Sequence, residues 1–456
     1  MGIIDTPTVL FPVETIVREL NSKLALACGL AANGCRVIVG HKEEIRYIGH
    51  HSGPVVWQGK NLFSDDSSDH TADHLLRNGS AIMYMQDEGG MFQVDSWKEN
   101  VIQKHHLDLV RTRAIRRMCA WGQRQAEVIA AYAPELSERI RVTGSARFDI
   151  CSPRFGWMEE TQIRQIRERF GDYVLLCTRF GAIAHADGIH DAFRRKLNPR
   201  IWPADISMQK VADIWFTKWR QDVHDFAEFV IYAKELADAY PSRKIVIRPH
   251  PSEGLLFYRQ AFAQHPNVEV MREGNVLNWI RGADVVVHSN CTTGIEAVLA
   301  DRPVLNLLPG DEGRNHLDVE VAREAGVIAR SVQQALELTE FLLSHPTPPP
   351  YWSPHATSML ANIEHDAIPS LVEESLAVVR EQAIGGAKLT FPPRRRLRKW
   401  VKGMLGRSEQ SAYIAAKRGP LDRDHIDSVV EGCCKMGIGG GRIRVFTPQY
   451  VMIDPE

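Results

Sequence analysis

Residues 8–40, TVLFPVETIVRELNSKLALACGLAANGCRVIVG, decide the fold class. An apolar run at 8–13 (TVLFPV) precedes a stretch at 17–32 with helical character. Asn33-Gly34 then punctuates the chain before a β-rich run at 35–40 (CRVIVG). Strand, helix, turn and strand within about 35 residues is the spacing of a βαβ unit. The pattern recurs downstream. A short helical stretch at 74–78 leads into 81–85 (AIMYM), and 115–121 (IRRMCAW) leads through a helix at 123–132 to 139–143 (RIRVT). Both faces of these short strands are apolar, as in a parallel sheet covered on both sides. A second series begins at 173–178 (YVLLCT). It continues through a long helical stretch at 211–239, then strands at 244–248 (KIVIR), 267–271, 284–288 (DVVVH) and 303–308 (PVLNLL), and closes at the Pro-rich 345–350.

The expected fold is therefore α/β. It has two Rossmann-like domains facing a cleft, over residues 1–155 and 156–350, then a helical crossover at 351–384 and a basic tail at 385–456. No fixed repeat of 20–50 residues argues for a solenoid. The 456 residues carry 55 Lys and Arg against 56 Asp and Glu, a net charge of −1. That balance gives no global field for nucleic acid, and no nucleic-acid partner is expected. Eight cysteines form no CxxC pair, which fits a reducing cytosol rather than a disulfide framework or zinc site. The N-terminal stretch lacks a basic region before its apolar run, and no apolar run approaches the length of a membrane span.

Three segments carry the chemistry. In KIVIRPHPSE (244–253), a β-run delivers Arg248, His250 and Pro251 at its carboxyl end, and two prolines restrict the histidine between them. Such a histidine can donate to a phosphate or simply be satisfied by the loop backbone. In DVVVHSNCTTGIEAVLA (284–300), a strand runs into Ser289, Asn290, Thr292, Thr293 and Gly294 and opens a helix. Amides and hydroxyls at a helix N-terminus suit phosphate, and the same threonines can serve as N-caps. Glu296, one turn in, can accept from ribose hydroxyls or complement the helix dipole. In AIMYMQDEGG (81–90), Asp87 and Glu88 close an apolar strand as candidate general-base groups, with an exposed acidic turn as the plainer reading. No metal-binding pattern, Walker A sequence or G-x-G-x-x-G is present.

The acidic pair before Gly89, the His-Pro at 250–251 and the Ser/Thr-rich loop at 289–293 resemble the bacterial sialyltransferase and Kdo-transferase type, GT-B-fold enzymes that use CMP-activated sugars. Segments 142–149 (VTGSARFD) and 288–309 (HSNCTTGIEAVLADRPVLNLLP) also resemble a group of surface-carbohydrate biosynthesis proteins. The resemblance implies Asp87 as general base and His250-Pro251 on the nucleotide phosphate. It further implies Ser289, Thr292 and Thr293 as the phosphate loop and Glu296 on the ribose. It implies a nucleotide-sugar donor, a glycan or lipid-linked glycan acceptor and no separate cofactor or metal. Arg248-Pro249 before the pair and Ser252-Glu253 after it depart from that pattern. A nucleotide-sugar epimerase of the same fold and a non-catalytic glycan-assembly protein are the rival readings.

The stretch at 394–407, RRRLRKWVKGMLGR, carries seven basic residues and no acidic one, interleaved with Leu397, Trp400, Val401, Met404 and Leu405. It reads as a solvated charge run or as an amphipathic contact to anionic lipid. The second reading places a cytoplasmic protein at the inner face of the plasma membrane.

Overall fold

The computed structural model describes residues 6–60, 62, 71–86, 114–198, 207–310, 318–345, 352–393 and 419–456. Asp87, Glu88, Gly89 and the basic stretch 394–407 lie outside them. The chain divides into two compact units, one holding the described residues up to Ile150 and from Thr357 onward, the other those from Cys151 to Ala356. Both are α/β and Rossmann-like, as expected.

The first unit is built on an eight-stranded sheet. Its parallel part runs β1 (Thr8–Val13), β2 (Arg36–His41), β3 (Val56–Gly59), β4 (Ala81–Met85), β5 (Ile115–Ala120) and β6 (Ile140–Val142), in the spatial order β2-β1-β3-β4-β5-β6. The helix Ile16–Ala32 is buried on nearly all sides because its alanines and Gly29 admit close neighbours: a Cβ at Gly29 would sit 2.9 Å from Val372 Cγ2. The helices Ala367–Glu381 and Arg423–Lys435 pack against it.

The second sheet contains β7 (Tyr173–Cys177), β8 (Lys244–Arg248), β9 (Val268–Val270), β10 (Val285–His288), β11 (Val304–Leu307) and β12 (Val327–Ala329), all parallel. The order β9-β8-β7-β10-β11-β12 is the dinucleotide-fold order, 3-2-1-4-5-6. The helix Met208–Ala239 covers one face through Phe229, Tyr232, Ala233 and Leu236, the i, i+3, i+4, i+7 stripe of a core-facing helix.

The expected basic tail at 385–456 is corrected by the structure. From residue 419 the chain rejoins the first unit. Its last two strands extend the sheet: β14 (Tyr450–Asp454) pairs antiparallel with β2 and β13 (Arg442–Phe446) antiparallel with β14, and Arg36 Nε donates to Asp454 Oδ1 at 2.6 Å. The boundaries shift accordingly: the first unit ends at Ile150 and resumes at Thr357, so the 351–384 crossover belongs mostly to it. The GIGGG run at 437–441 is a spacing device. Gly439 (φ +145°) passes so close to the helix Ile16–Ala32 that a Cβ would meet Cys28 O at 2.4 Å, and one at Gly441 would meet Ile453 Cγ2 at 2.6 Å. Among the described residues no helix is long and apolar enough to cross a membrane.

Candidate functional site

In the second sheet the strand order reverses between β7 and β10, and ligands of open α/β sheets bind at the carboxyl ends of such a pair. Cys177 pairs with Arg248 on one side and His288 on the other. Thr178, Pro249 and Ser289 therefore leave the sheet side by side. The three loops that follow are tied together by two charged side chains, Glu253 and Arg179, that the sequence did not mark as site residues.

The first is Glu253, fully buried. Its carboxyl accepts from Thr178 Oγ1 at 2.9 and 2.8 Å, from the Phe180 amide at 2.8 Å and from Tyr258 Oη at 2.5 Å. Burial pushes it up to about 7, against the pull of these donors. The same carboxyl and Thr178 Oγ1 receive the His250 amide, each at 3.2 Å, which fixes the backbone under the imidazole. The ring is exposed, and its Nδ1 accepts from the Ser252 amide at 3.2 Å and lies 2.8 Å from Ser252 Oγ. An acceptor at Nδ1 puts the N–H of the neutral ring on Nε2. Gly181 makes this stacking of loops feasible, since a Cβ there would lie 2.2 Å from Ser252 Oγ.

The second is Arg179. Its Nη1 and Nη2 donate to Asp222 Oδ1 at 2.6 Å and Asp225 Oδ2 at 2.9 Å, and its Nε donates to the Ser289 carbonyl. Lys218 Nζ joins Asp222 at 2.5 Å. Burial opposes the guanidinium charge, but the two carboxylates outweigh it and hold Arg179 firmly protonated. Burial also works against the Asp222 carboxylate, yet Lys218 and Arg179 keep it below its ordinary range. Asp222 and Asp225 lie on the buried stripe of the helix Met208–Ala239, one to two turns before Phe229 and Tyr232. Two acids interrupting an apolar helical stripe were the available signal.

The loop after β10 is close-fitting. His288 is fully buried, its Nε2 donates to Ala325 O at 2.7 Å, and its Nδ1 accepts from the Cys291 amide at 3.1 Å. One partner only accepts and the other only donates, so the ring is neutral, and burial lowers it to about 4. Gly294 presses on this imidazole, with 2.2 Å from a would-be Cβ to His288 Nε2, so no side chain fits at this position. Asn290 (φ +49°) adopts the left-handed conformation that Asn tolerates. Its side chain exchanges two hydrogen bonds with Val319, Oδ1 accepting at 2.6 Å and Nδ2 donating at 3.0 Å. The helix Thr292–Leu299 has no side-chain cap from Cys291; the Gly294 amide donates to the Cys291 carbonyl at 3.0 Å, and the amides of half-buried Thr292 and Thr293 stand at the start of the helix without an intrahelical acceptor. Among the described residues Ser289 Oγ is buried without a partner. Glu296 is buried in the helix's second turn.

Arg248 departs from the expectation. Its Nη1 and Nη2 donate to the carbonyls of Glu273 at 2.7 Å and Gly274 at 2.6 Å, with the guanidinium over Trp279, so it clamps the loop after β9. One metal-ligand group does assemble among the described residues: His185, Asp187 and Asp191, with ligand atoms within 4.8 Å of one another. Arg194 already donates to Asp191 at 2.5 Å.

No protein-family model matches the chain, and no curated protein matches it. Among solved structures, the chain is similar to the UDP-GlcNAc 2-epimerase of Neisseria meningitidis bound to UDP-GlcNAc (13% identity, 82% of this chain and 99% of that one, TM-score 0.47). It is similar also to the UDP-GlcNAc 2-epimerase of Methanocaldococcus jannaschii (11%, 81% and 99%, TM-score 0.45) and to the wall teichoic acid polymerase TagF (10%, 83% and 90%, TM-score 0.41). At this degree of likeness neither the activity nor the ligand of a neighbour passes to this chain.

Proposed function

We propose that the chain is a glycosyltransferase that takes a nucleotide-activated sugar on its second unit and moves the sugar onto a surface polysaccharide or glycolipid acceptor. One observation supports this reading: an uncapped helix N-terminus and the buried Ser289 hydroxyl follow β10, and the positioned His250 imidazole follows β8, the two strands that flank β7. Open amides, a hydroxyl and an Nε2–H form a donor set for a phosphate group. Arg179 and Glu253 act as positioning residues that hold the three loops in place. No separate cofactor is required, because the nucleotide sugar is the co-substrate. A CMP-activated nonulosonate such as Kdo or sialic acid is the donor that the sequence resemblance favours. Transfer then proceeds by displacement through an oxocarbenium-like state, with the phosphate leaving toward His250 and the helix N-terminus. Asp87, outside the described residues, receives the acceptor proton in this reading on sequence grounds.

The test is a thermal-shift panel with CMP, CDP, UDP, GDP and ADP on the wild type and His250→Ala. A ligand that binds only the folded protein raises its melting temperature. Loss of a charge-assisted hydrogen bond should weaken the best nucleotide roughly ten- to hundredfold. Unchanged affinity in the variant would overturn the site. Product formation that needs an acceptor separates transfer from epimerisation. Asp87→Asn should slow transfer about 10²–10⁴-fold while nucleotide binding persists.

A further inference from the structure

The first sheet has its own reversal point. The chain runs β1 to β2 on one side, then crosses to place β3 on the other, the 2-1-3-4-5 arrangement that also puts ligands at the carboxyl ends of β1 and β3. Val13 pairs with His41, so Glu14 and Lys42 emerge side by side, and Lys60 follows Gly59 at the end of β3. A dense charged group sits here. Glu19 is 1% exposed and receives Lys23 Nζ at 2.9 Å, Arg18 Nη2 at 3.2 Å and the Glu14 amide at 2.9 Å, with Lys60 Nζ 3.7 Å away. Lys60 Nζ also lies 3.2 Å from Glu14 Oε2, and Lys42 acts on Glu14 from β2's side. Among the described residues, four cationic side chains thus face two carboxylates.

A second observation points to a ligand. Thr15, the N-cap residue of the helix Ile16–Ala32, is 8% exposed, yet its side chain caps nothing. Among the described residues its Oγ1 is buried without a hydrogen-bond partner. A buried unpaired hydroxyl is costly unless something satisfies it. The amides of Ile16 and Val17 belong to the first helical turn and have no intrahelical acceptor.

We propose that this edge of the first unit binds a phosphate group, held by Thr15 Oγ1, the first-turn amides and the Lys60 ammonium. If the transferase reading holds, the phosphate belongs to the acceptor, either a polyol-phosphate glycan or a lipid-linked diphosphate. The site itself rests only on the geometry of the first unit.

The experiment is hydrogen–deuterium exchange on the full chain with inorganic phosphate, glycerol 3-phosphate or pyrophosphate, read at the amides of residues 14–20, with calorimetric affinities alongside. Phosphate should protect these amides. Thr15→Val keeps the shape and removes only the hydroxyl, so binding should weaken roughly tenfold with no loss of melting temperature; Lys60→Met should weaken it at least as much. Tighter binding of glycerol 3-phosphate indicates a polyol-phosphate source and tighter pyrophosphate a lipid-linked one, and either order supports the site. A Thr15→Val protein that is more stable and binds phosphate as the wild type does would overturn the proposal, as would absence of protection at 14–20. Nucleotide protection at residues 288–296 is scored separately. Its absence beside protection at 14–20 sinks the transferase reading and leaves this one standing.

Discussion

The two carboxyl edges share a backbone plan and differ in how they manage charge. In the second unit the cation is locked: Arg179 commits its guanidinium to Asp222, Asp225 and the Ser289 carbonyl, and the Ser289 hydroxyl beside it has no partner among the described residues. In the first unit one buried carboxylate is shared among the described residues: Lys23, Arg18 and Lys60 all approach Glu19. A locked ion group sets loop shape, whereas a shared carboxylate gathers several cations at the strand ends. The Rossmann layout thus supplies a location, and the side chains decide between rigidity and attraction.

The largest effect expected is from Arg179→Met. It strips two buried carboxylates of their guanidinium and should cost about 3–5 kcal/mol in chemical denaturation, with loss of nucleotide binding. Lys23→Met should cost less, about 1–3 kcal/mol, because Glu19 keeps Arg18 and Lys60. Equal costs would erase the distinction between a locked and a shared cluster.

Acidity separates the edges next. Glu253, raised to about 7 from 4.5, stabilises the fold fully below pH 4.5, and that contribution fades as pH climbs toward 7. His288, lowered to about 4 from 6.5, does the reverse: its contribution is present above pH 6.5 and lost as pH falls toward 4. The two oppose each other in one unit. Glu253→Gln should therefore uncover the imidazole term, a fall of about 3 kcal/mol between pH 6.5 and 4, read from exchange of the β7 amides. Glu19 is buried, yet Lys23 and Lys60 hold it well below the carboxylate range. Its contribution to the first unit is present above pH 4.5 and drains away below it. A flat Glu253→Gln profile in β7 would break this assignment of windows.

Gly439→Ala is smaller in reach. A methyl 2.4 Å from Cys28 O, on a left-handed backbone, should cost roughly 2–3 kcal/mol, confined to first-unit amides. Arg248→Lys should have the least effect, about 1 kcal/mol of stability with nucleotide affinity unchanged, since its guanidinium serves the Glu273–Gly274 carbonyls. A large drop in nucleotide affinity would restore Arg248 to the donor pocket.

Local periodicity made most of the layout legible. The helix Gln123–Tyr132 and the strands β4 and β8 have the expected ends, because apolar runs bounded by Gly, Pro and Ser are local signals. β13 was missed because Arg442 and Arg444 alternate with Ile443 and Val445 beside a glycine run, which reads as a basic tail until β14 and β2 are there to pair with it. His250 and the 289–293 loop were legible for the same local reason. Their supports were not. Arg179 meets Asp222 and Asp225 more than 40 residues along the chain, and Thr178 meets Glu253 across 75, distances that no window of sequence spans.

The pairing of β2 with β14 also has a consequence for biosynthesis. Every strand of the second sheet lies between Tyr173 and Ala329, so that sheet can close once this contiguous stretch has left the ribosome. The first sheet needs Val37 to meet Ile453 and the helix Ile16–Ala32 to be covered by segments after residue 366. The half that is translated first is thus completed last. Until then the apolar faces of β1, β2 and their helix wait for their cover, the state in which a growing chain most needs a chaperone.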